Sequence, residues 1–370
     1  MEPKQEVCSG ERLCLRAFDS SIILMMKLQF RRFQLTFTRT WRISGGAGTK
    51  TYGVVLVDLS DARGRTGLGE AASTSRYAQP VEVIEAFLAK VDASKLSFDD
   101  VPGSMQYLET VAPGNHAAKC GLNIALLDGA AKTAKLPICD YLKLGFTEGK
   151  HVTSFSIGID TPDVVREKVR EASNYPVLKL KVGGPEDRAT FEALREVAPG
   201  KPVRVDANEG WKTREEALRN LEWLHAHGNV QFIEQPMPAT SSRADMAWLK
   251  ARSPIPIFAD ESYHHASDID VAEECFHGVN VKLVKTGGIS GAYDALQAAR
   301  KRGLQTMIGC MIETSILITA AAHLAELTNH LDIDGNILIN NDPYLGCSSE
   351  KGIISFRNVA EKYGLRVRAR

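Results

Sequence analysis

No two cysteines of the chain stand in a CxxC arrangement, and the seven that occur (Cys8, Cys14, Cys120, Cys139, Cys275, Cys310 and Cys347) are scattered and odd in number. Neither a disulfide framework nor a zinc knuckle is indicated, and the thiols read as the reduced, mostly buried ones of a cytoplasmic protein. No apolar run reaches membrane-spanning length. "SSIILMM", residues 20–26, follows Arg12 and Arg16 but is short for a signal-peptide core, and no A-x-A-like site comes after it. Charge of one sign is also lacking: 45 Lys+Arg against 45 Asp+Glu gives no reason to expect a nucleic-acid partner or an anionic membrane. What remains is a 370-residue chain, 44% hydrophobic and 24% charged, with the balance of a soluble globular enzyme. It allows a homo-oligomer without requiring one.

The chain changes grammar twice. Residues 1–25 read as an N-terminal extension, and the folded part begins with "MKLQFRRFQLTF" at Met26. Residues 26–150 hold two alternating strands around a glycine-rich loop, "TRTWRISGGAGTK", and then mainly helical sequence. That order predicts a small α+β domain. From His151 to residue 345, short β-rich runs ("VLKLKV", "KPVRVDA", "VQFIEQ", "IPIFADE", "GVNVKLVK", "LQTMIGC") alternate with helices. Pro162 marks the first turn of one helix; Thr213 with Glu216, and Gly228, bracket another.

Two lysines inside "VLKLKV" are the first sign of chemistry. Lys179 and Lys181 are two apart on a strand and share a face. Like charges in a poorly hydrated place lower each other's pKa, which predicts Lys181 as a base and Lys179 as the neighbour that tunes it. Chemically expensive residues then recur at one period: Lys181, Asp206, Glu234, Asp260, Lys285, Gly309 and Asp332 are separated by 25, 28, 26, 25, 24 and 23 residues. One strand, one helix and two loops take roughly that many residues in a (β/α)8-type barrel, whose active site gathers at the C-terminal strand ends. An open sheet would spread the seven along a line, so a barrel is expected. Asp206, Glu234 and Asp260 on consecutive strands would repel one another without a cation, and oxygen-only ligands suit Mg²⁺. Lys181 and Lys285, one strand to either side, would face an α-carbon from both sides. One would remove a proton to give an enediolate and the other return it, inverting the centre.

"KLKVG", "VDANEGW", "IEQP", "ADES", "VKTGG" and "GCMIETS", in this order, resemble the enolase superfamily, muconate-lactonizing subgroup, over residues 27 to about 345. The resemblance implies an α/β fold, a (β/α)7β TIM-like barrel with an N-terminal α+β capping domain. It also implies Mg²⁺ on Asp206, Glu234 and Asp260, Lys181 and Lys285 as the acid/base pair, and a tail, residues 346–370, returning to the cap.

Within the subgroup the reactions differ by what the distal site accepts. "LDIDGN" puts Asp332 and Asp334 on one strand face, asking for a cationic group, and this D-x-D resembles the dipeptide epimerases in particular. "DIDG" fails as a calcium loop because His330 and Asn341 would fall where acids are required. A turn in which the aspartates bond only to backbone amides is the competing reading. The loops that the family uses for specificity carry Arg39, Arg42 and Arg76 and no acid, which favours an acidic second residue, as in Ala-Glu. Trp41 and Tyr77 allow an apolar one instead. The alternatives are a cycloisomerase, an o-succinylbenzoate synthase or an N-acylamino acid racemase on the same ring, and a metal-free Schiff-base aldolase.

Overall fold

The computed structural model describes residues 26–46 and 48–370, so the expected extension over residues 1–25 lies outside the described residues. Three antiparallel strands open the chain in the order β1 (Lys27–Trp41), β2 (Thr49–Ser60), β3 (Thr66–Ala72). The β2–β3 turn closes on Asp61, whose carboxylate accepts the Arg63 and Arg65 amides. On this sheet lies the helix His116–Thr133, buried along most of its length. Contact that close needs two glycines in "GLGE": a Cβ on Gly67 or Gly69 would lie 1.9 Å from Ala125 O or 2.0 Å from Gly121 O. From the same helix, buried Asp128 accepts the amides of Leu68 in β3 and of Leu365 in the C-terminal segment.

β1 runs further than its sequence indicates. Its pairing with β2 is interrupted after Thr36, yet it continues to Trp41 because the other edge is taken by a distant segment. The Thr38 amide donates to Leu338 O, the Asn340 amide to Thr36 O, and Phe37 bridges Ile339. Thr38–Trp41, expected in a loop, thus form a strand end.

Eight parallel strands follow: β4 (Phe155–Ile157), β5 (Leu178–Lys181), β6 (Val203–Asp206), β7 (Val230–Glu234), β8 (Ile257–Ala259), β9 (Gly278–Lys282), β10 (Gln305–Gly309) and β11 (His330–Asp332), neighbours in that order. The circle closes where the Ser154 amide donates to Leu331 O and Thr153 bridges Leu331. Seven crossover helices join them, among them Pro162–Glu171, with its proline in the first turn, and Arg214–His227. In the latter, Thr213 Oγ1 accepts the Glu216 amide, while Glu216 reaches back to the Lys212 amide, one residue beyond the expected capping box. The fold is the expected (β/α)7β barrel. Phe232, Phe258 and Met307 form a small apolar cluster apart from the main core, and Arg204 lies over the Phe232 ring. Polar side chains occupy the opposite, C-terminal end. No described helix is long and apolar enough to cross a membrane.

His323, fully buried, accepts the Cys139 amide through Nδ1 and donates from Nε2 to Leu365 O, clamping barrel, cap and tail together. Burial depresses its pKa to about 4. Above about pH 6.5 it is neutral folded or unfolded; as the pH falls below that, only the unfolded chain takes up the proton, and stability drops. Urea unfolding is expected to show that wild type loses about 2 kcal/mol more than His323→Gln between pH 7 and pH 5.

Candidate active site

Strand registers put the chemically active side chains on one rim. Lys181 pairs with Asp206 and Asp206 with Glu234; across the barrel Lys282 pairs with Gly309 and Gly309 with Asp332. Asp260 follows β8 directly. Asp206, Glu234 and Asp260 are fully buried, and one oxygen from each lies within 4.8 Å of the others. Above them a cavity of about 360 Å³ opens under the cap.

Lysines interleave the acids. Lys181 Nζ donates to Asp206 Oδ2 at 2.6 Å. Lys282 Nζ, on the far side, donates to Asp260 Oδ2 at 2.7 Å. Both line the cavity, as do Asp332 and Asp334. Lys179 sits among three acids, 3.0 Å from Asp206, 2.7 Å from Glu234 and 2.6 Å from Asp332. Burial pushes the Lys179 ammonium down, but Asp206, Asp332 and Glu234 together hold it well above the ordinary lysine range. Lys179 thus stays charged beside Lys181, the two amines sharing Asp206 Oδ2, and it is bound by three carboxylates at once, which the spacing alone does not indicate. Lys282 is held high in the same way, Asp260 outweighing burial.

Lys285 does not stand where the spacing puts it. The spacing selects it, but β9 ends at Lys282, and the chain turns at once into a short helix, Leu283–Thr286. Lys285 is therefore outside the cavity lining, bonded to Asp260 O at 2.6 Å, Asp260 Oδ1 at 2.7 Å and Asn280 O at 3.0 Å. The amine facing Lys181 across the acids is Lys282. Alternation from Asn280, whose Nδ2 donates to Glu234 Oε1, was the signal available in the sequence.

The arginines separate. Arg39, on the β1 end, pairs with Glu171 at 2.5 Å and Glu167 at 3.6 Å on the helix beside it and does not line the main cavity. The strand's extension to Trp41 carries it outward, so it is not a contact of this cavity. Arg76, in the turn Ser75–Tyr77, lines the cavity but is bound to Glu209 and Glu261. Arg42 lines the cavity and makes no ion pair among the described residues. Glu261, unforeseen, is pushed up to about 7 by burial and then Asp260.

The donor set fits a hard divalent cation. Burial and then Asp206 raise Glu234 to about 8, a penalty that positive charge among the three acids would relieve. Asn208 Oδ1, Glu261 Oε2 and Asn280 Oδ1 are buried without a hydrogen-bond partner among the described residues. With Arg76 and Glu209 cancelling, six acids (Asp206, Glu234, Asp260, Glu261, Asp332, Asp334) face four lysines (Lys179, Lys181, Lys282, Lys285). The carboxyls outnumber the amines, so added positive charge at the triad would be favourable. Asp332 and Asp334 differ from a backbone-only turn. Asp334 Oδ2 accepts the Ser156 amide at 2.6 Å, whereas Asp332 accepts from Ser154 Oγ and Lys179 Nζ. Burial and then Asp332 raise Asp334 to about 7.

Residues 163–351 match the family described as enolase C-terminal domain-like, and residues 36–143 match the mandelate racemase / muconate lactonizing enzyme N-terminal domain. The L-Ala-D/L-amino acid epimerase of Pedosphaera parvula is 60% identical over 347 residues, 93% of this chain and 100% of that protein. The L-Ala-D/L-Glu epimerase of Bacteroides thetaiotaomicron is 36% identical over 340 residues, 90% of this chain and 86% of that one. A dipeptide epimerase from Cytophaga hutchinsonii, solved with Mg and D-Ala-L-Val, is similar with a TM-score of 0.86 at 26% identity, covering 94% of this chain and 96% of the other. With its barrel, its buried acid triad and these relatives, the chain belongs to the enolase superfamily, in its mandelate racemase / muconate lactonizing branch.

Proposed function

We propose that this chain is a Mg²⁺-dependent epimerase of L-Ala-Xaa dipeptides, inverting the α-carbon of the second residue. The observation that carries this reading is the pair Lys181 and Lys282, which line one cavity from the strands flanking the three acids. The names of the relatives support it. Asp206, Glu234 and Asp260 would hold the Mg²⁺, which when bound supplies a Lewis acid for the charge gathering on the substrate carboxylate as the α-proton leaves.

The remaining work belongs to side chains of this protein. Lys181 Nζ takes the α-proton from one face and Lys282 Nζ delivers one to the other; the opposite epimer reverses the roles. Asp332 and Asp334 receive the substrate's ammonium. Such a group suits a pair of buried acids, one of them raised by its neighbour, better than an N-acylated or ammonium-free substrate does. Asp332 shares its charge with Lys179, so Asp334 carries the larger unmet demand. Arg42, the one of the three arginines that lines the cavity without an ion pair among the described residues, favours an acidic Xaa. Trp41, Ile43 and Met311, which also line the cavity, admit apolar ones.

Incubation with L-Ala-Xaa dipeptides in D₂O and Mg²⁺ is expected to place deuterium at the second α-carbon, by mass spectrometry, and to stop reversibly with a chelator. No uptake from any free-amine dipeptide would remove the reading. Lys181→Met and Lys282→Met should each cut epimerisation by about a thousandfold while each still exchanges deuterium into one epimer only. Inversion at the wild-type rate in either variant would exclude that residue as a base. Asp334→Asn should raise KM about tenfold or more and leave Mn²⁺ affinity, measured by titration, unchanged. Lys285→Met behaves differently from the cavity lysines: removing three buried hydrogen bonds to Asp260 and Asn280 is expected to cost about 3–5 kcal/mol in urea unfolding of the chelator-treated protein.

A further inference from the structure

Beside the main cavity lies a second one of about 100 Å³, between the end of β1, β4 and the turn after β11. The two share a wall made by Trp41, Ser156 and Leu338. Trp41 forms the stiff part of it. Its ring is parallel to Phe37 at 6.1 Å and lies on Gly158, where a Cβ would come within 3.2 Å of the ring. Ser156 is the small part, and its amide is the group bonded to Asp334.

That last contact fixes what can enter. In a dipeptide, the carbon bearing the free ammonium also bears the first residue's side chain. With the ammonium at Asp332 and Asp334, this side chain starts against the wall that Ser156 shares with the second cavity. Phe37, Phe155 and Ile337 make the space beyond largely apolar. Its outer charges are spent on each other, Arg39 on Glu171 and Lys168 on Asp160, leaving no demand for a charged side chain. A volume of this size, roughly that of three water molecules, matches a leucine or methionine side chain.

We propose that this side cavity receives the side chain of the dipeptide's first residue, so that peptides beginning with leucine or methionine are substrates as well as those beginning with alanine. This rests on the epimerase reading above. The test compares α-proton exchange in D₂O for L-Leu-Xaa and L-Ala-Xaa, Xaa being the second residue exchanged fastest behind alanine. The proteins compared are wild type, Ile337→Trp and Thr38→Phe, whose added bulk enters the side cavity from different walls and neither of which lines the main one. For wild type, the two kcat/KM values are expected within about tenfold of each other. Each variant is expected to lower the value for L-Leu-Xaa by about twentyfold or more and that for L-Ala-Xaa by less than about twofold. Equal losses on both peptides, or wild-type exchange of L-Leu-Xaa more than about a hundredfold slower, would overturn the assignment. So would a variant whose selectivity changes only at the second residue, since the cavity would then read the other side chain. No exchange from any dipeptide would instead overturn the reaction itself, and this inference with it.

Discussion

Six carboxylates and four amines share the buried mouth of one barrel, and the rest of the site is arranged around keeping that charge bearable. An isolated pair at about 4 Å gains about 4 kcal/mol at the effective dielectric of a protein, while each buried ion loses several kcal/mol of hydration. Single pairs therefore do not hold such a site together; shared ones do. Lys179 touches Asp206, Glu234 and Asp332, and Asp260 is touched by Lys282 and Lys285. Of these lysines only Lys285 lies outside the cavity lining; Lys179, Lys181 and Lys282 reach its wall, and Lys179 is bound there by three acids at once.

The cap makes these charges count. Arg76 reaches from the cap to Glu209 and Glu261 on the barrel rim, and Glu70 of β3 accepts both the amide and the hydroxyl of Thr314. Glu70 and Glu313 are buried at this interface, and burial raises them to about 7 and about 8. Excluding water strengthens every remaining electrostatic interaction below. The same sheet whose close packing depends on Gly67 and Gly69 thus contributes to the chemistry without carrying a base or a metal ligand.

Much of this was legible in the chain because it follows from a period. Strand–helix units of nearly constant length become a ring, and acids at the strand ends become a triad. The period failed where a unit was irregular. A four-residue helix directly after β9 moved the strand end back from Lys285 to Lys282, and only side-chain alternation from Asn280 registers that. Other differences had non-local causes. Lys179 shares a face with Lys181 as its spacing says, yet its environment is set by Asp332, 153 residues away. Arg39 left the site because β1 was prolonged by contacts to Leu338 and Ile339. No local pattern records such partners.

Register explains why the chemistry and the selectivity reside in different kinds of structure. A one-residue slip in a strand sends every side chain to its opposite face. The pairings Lys181–Asp206–Glu234 and Lys282–Gly309–Asp332 therefore fix the reacting groups as tightly as the barrel itself. Trp41, Arg42, Arg76 and Leu338 are held instead by a strand end, a short turn and the irregular segment after β11. Of these only Arg76 holds an acid of the mouth, Glu261; changes at Trp41, Arg42 or Leu338 alter the cavity walls without removing a partner of the lysines or of the acid triad. The proposed proton chemistry thus rests on the strand ends of the barrel, while the walls that would meet the substrate's side chains belong to segments that can vary independently.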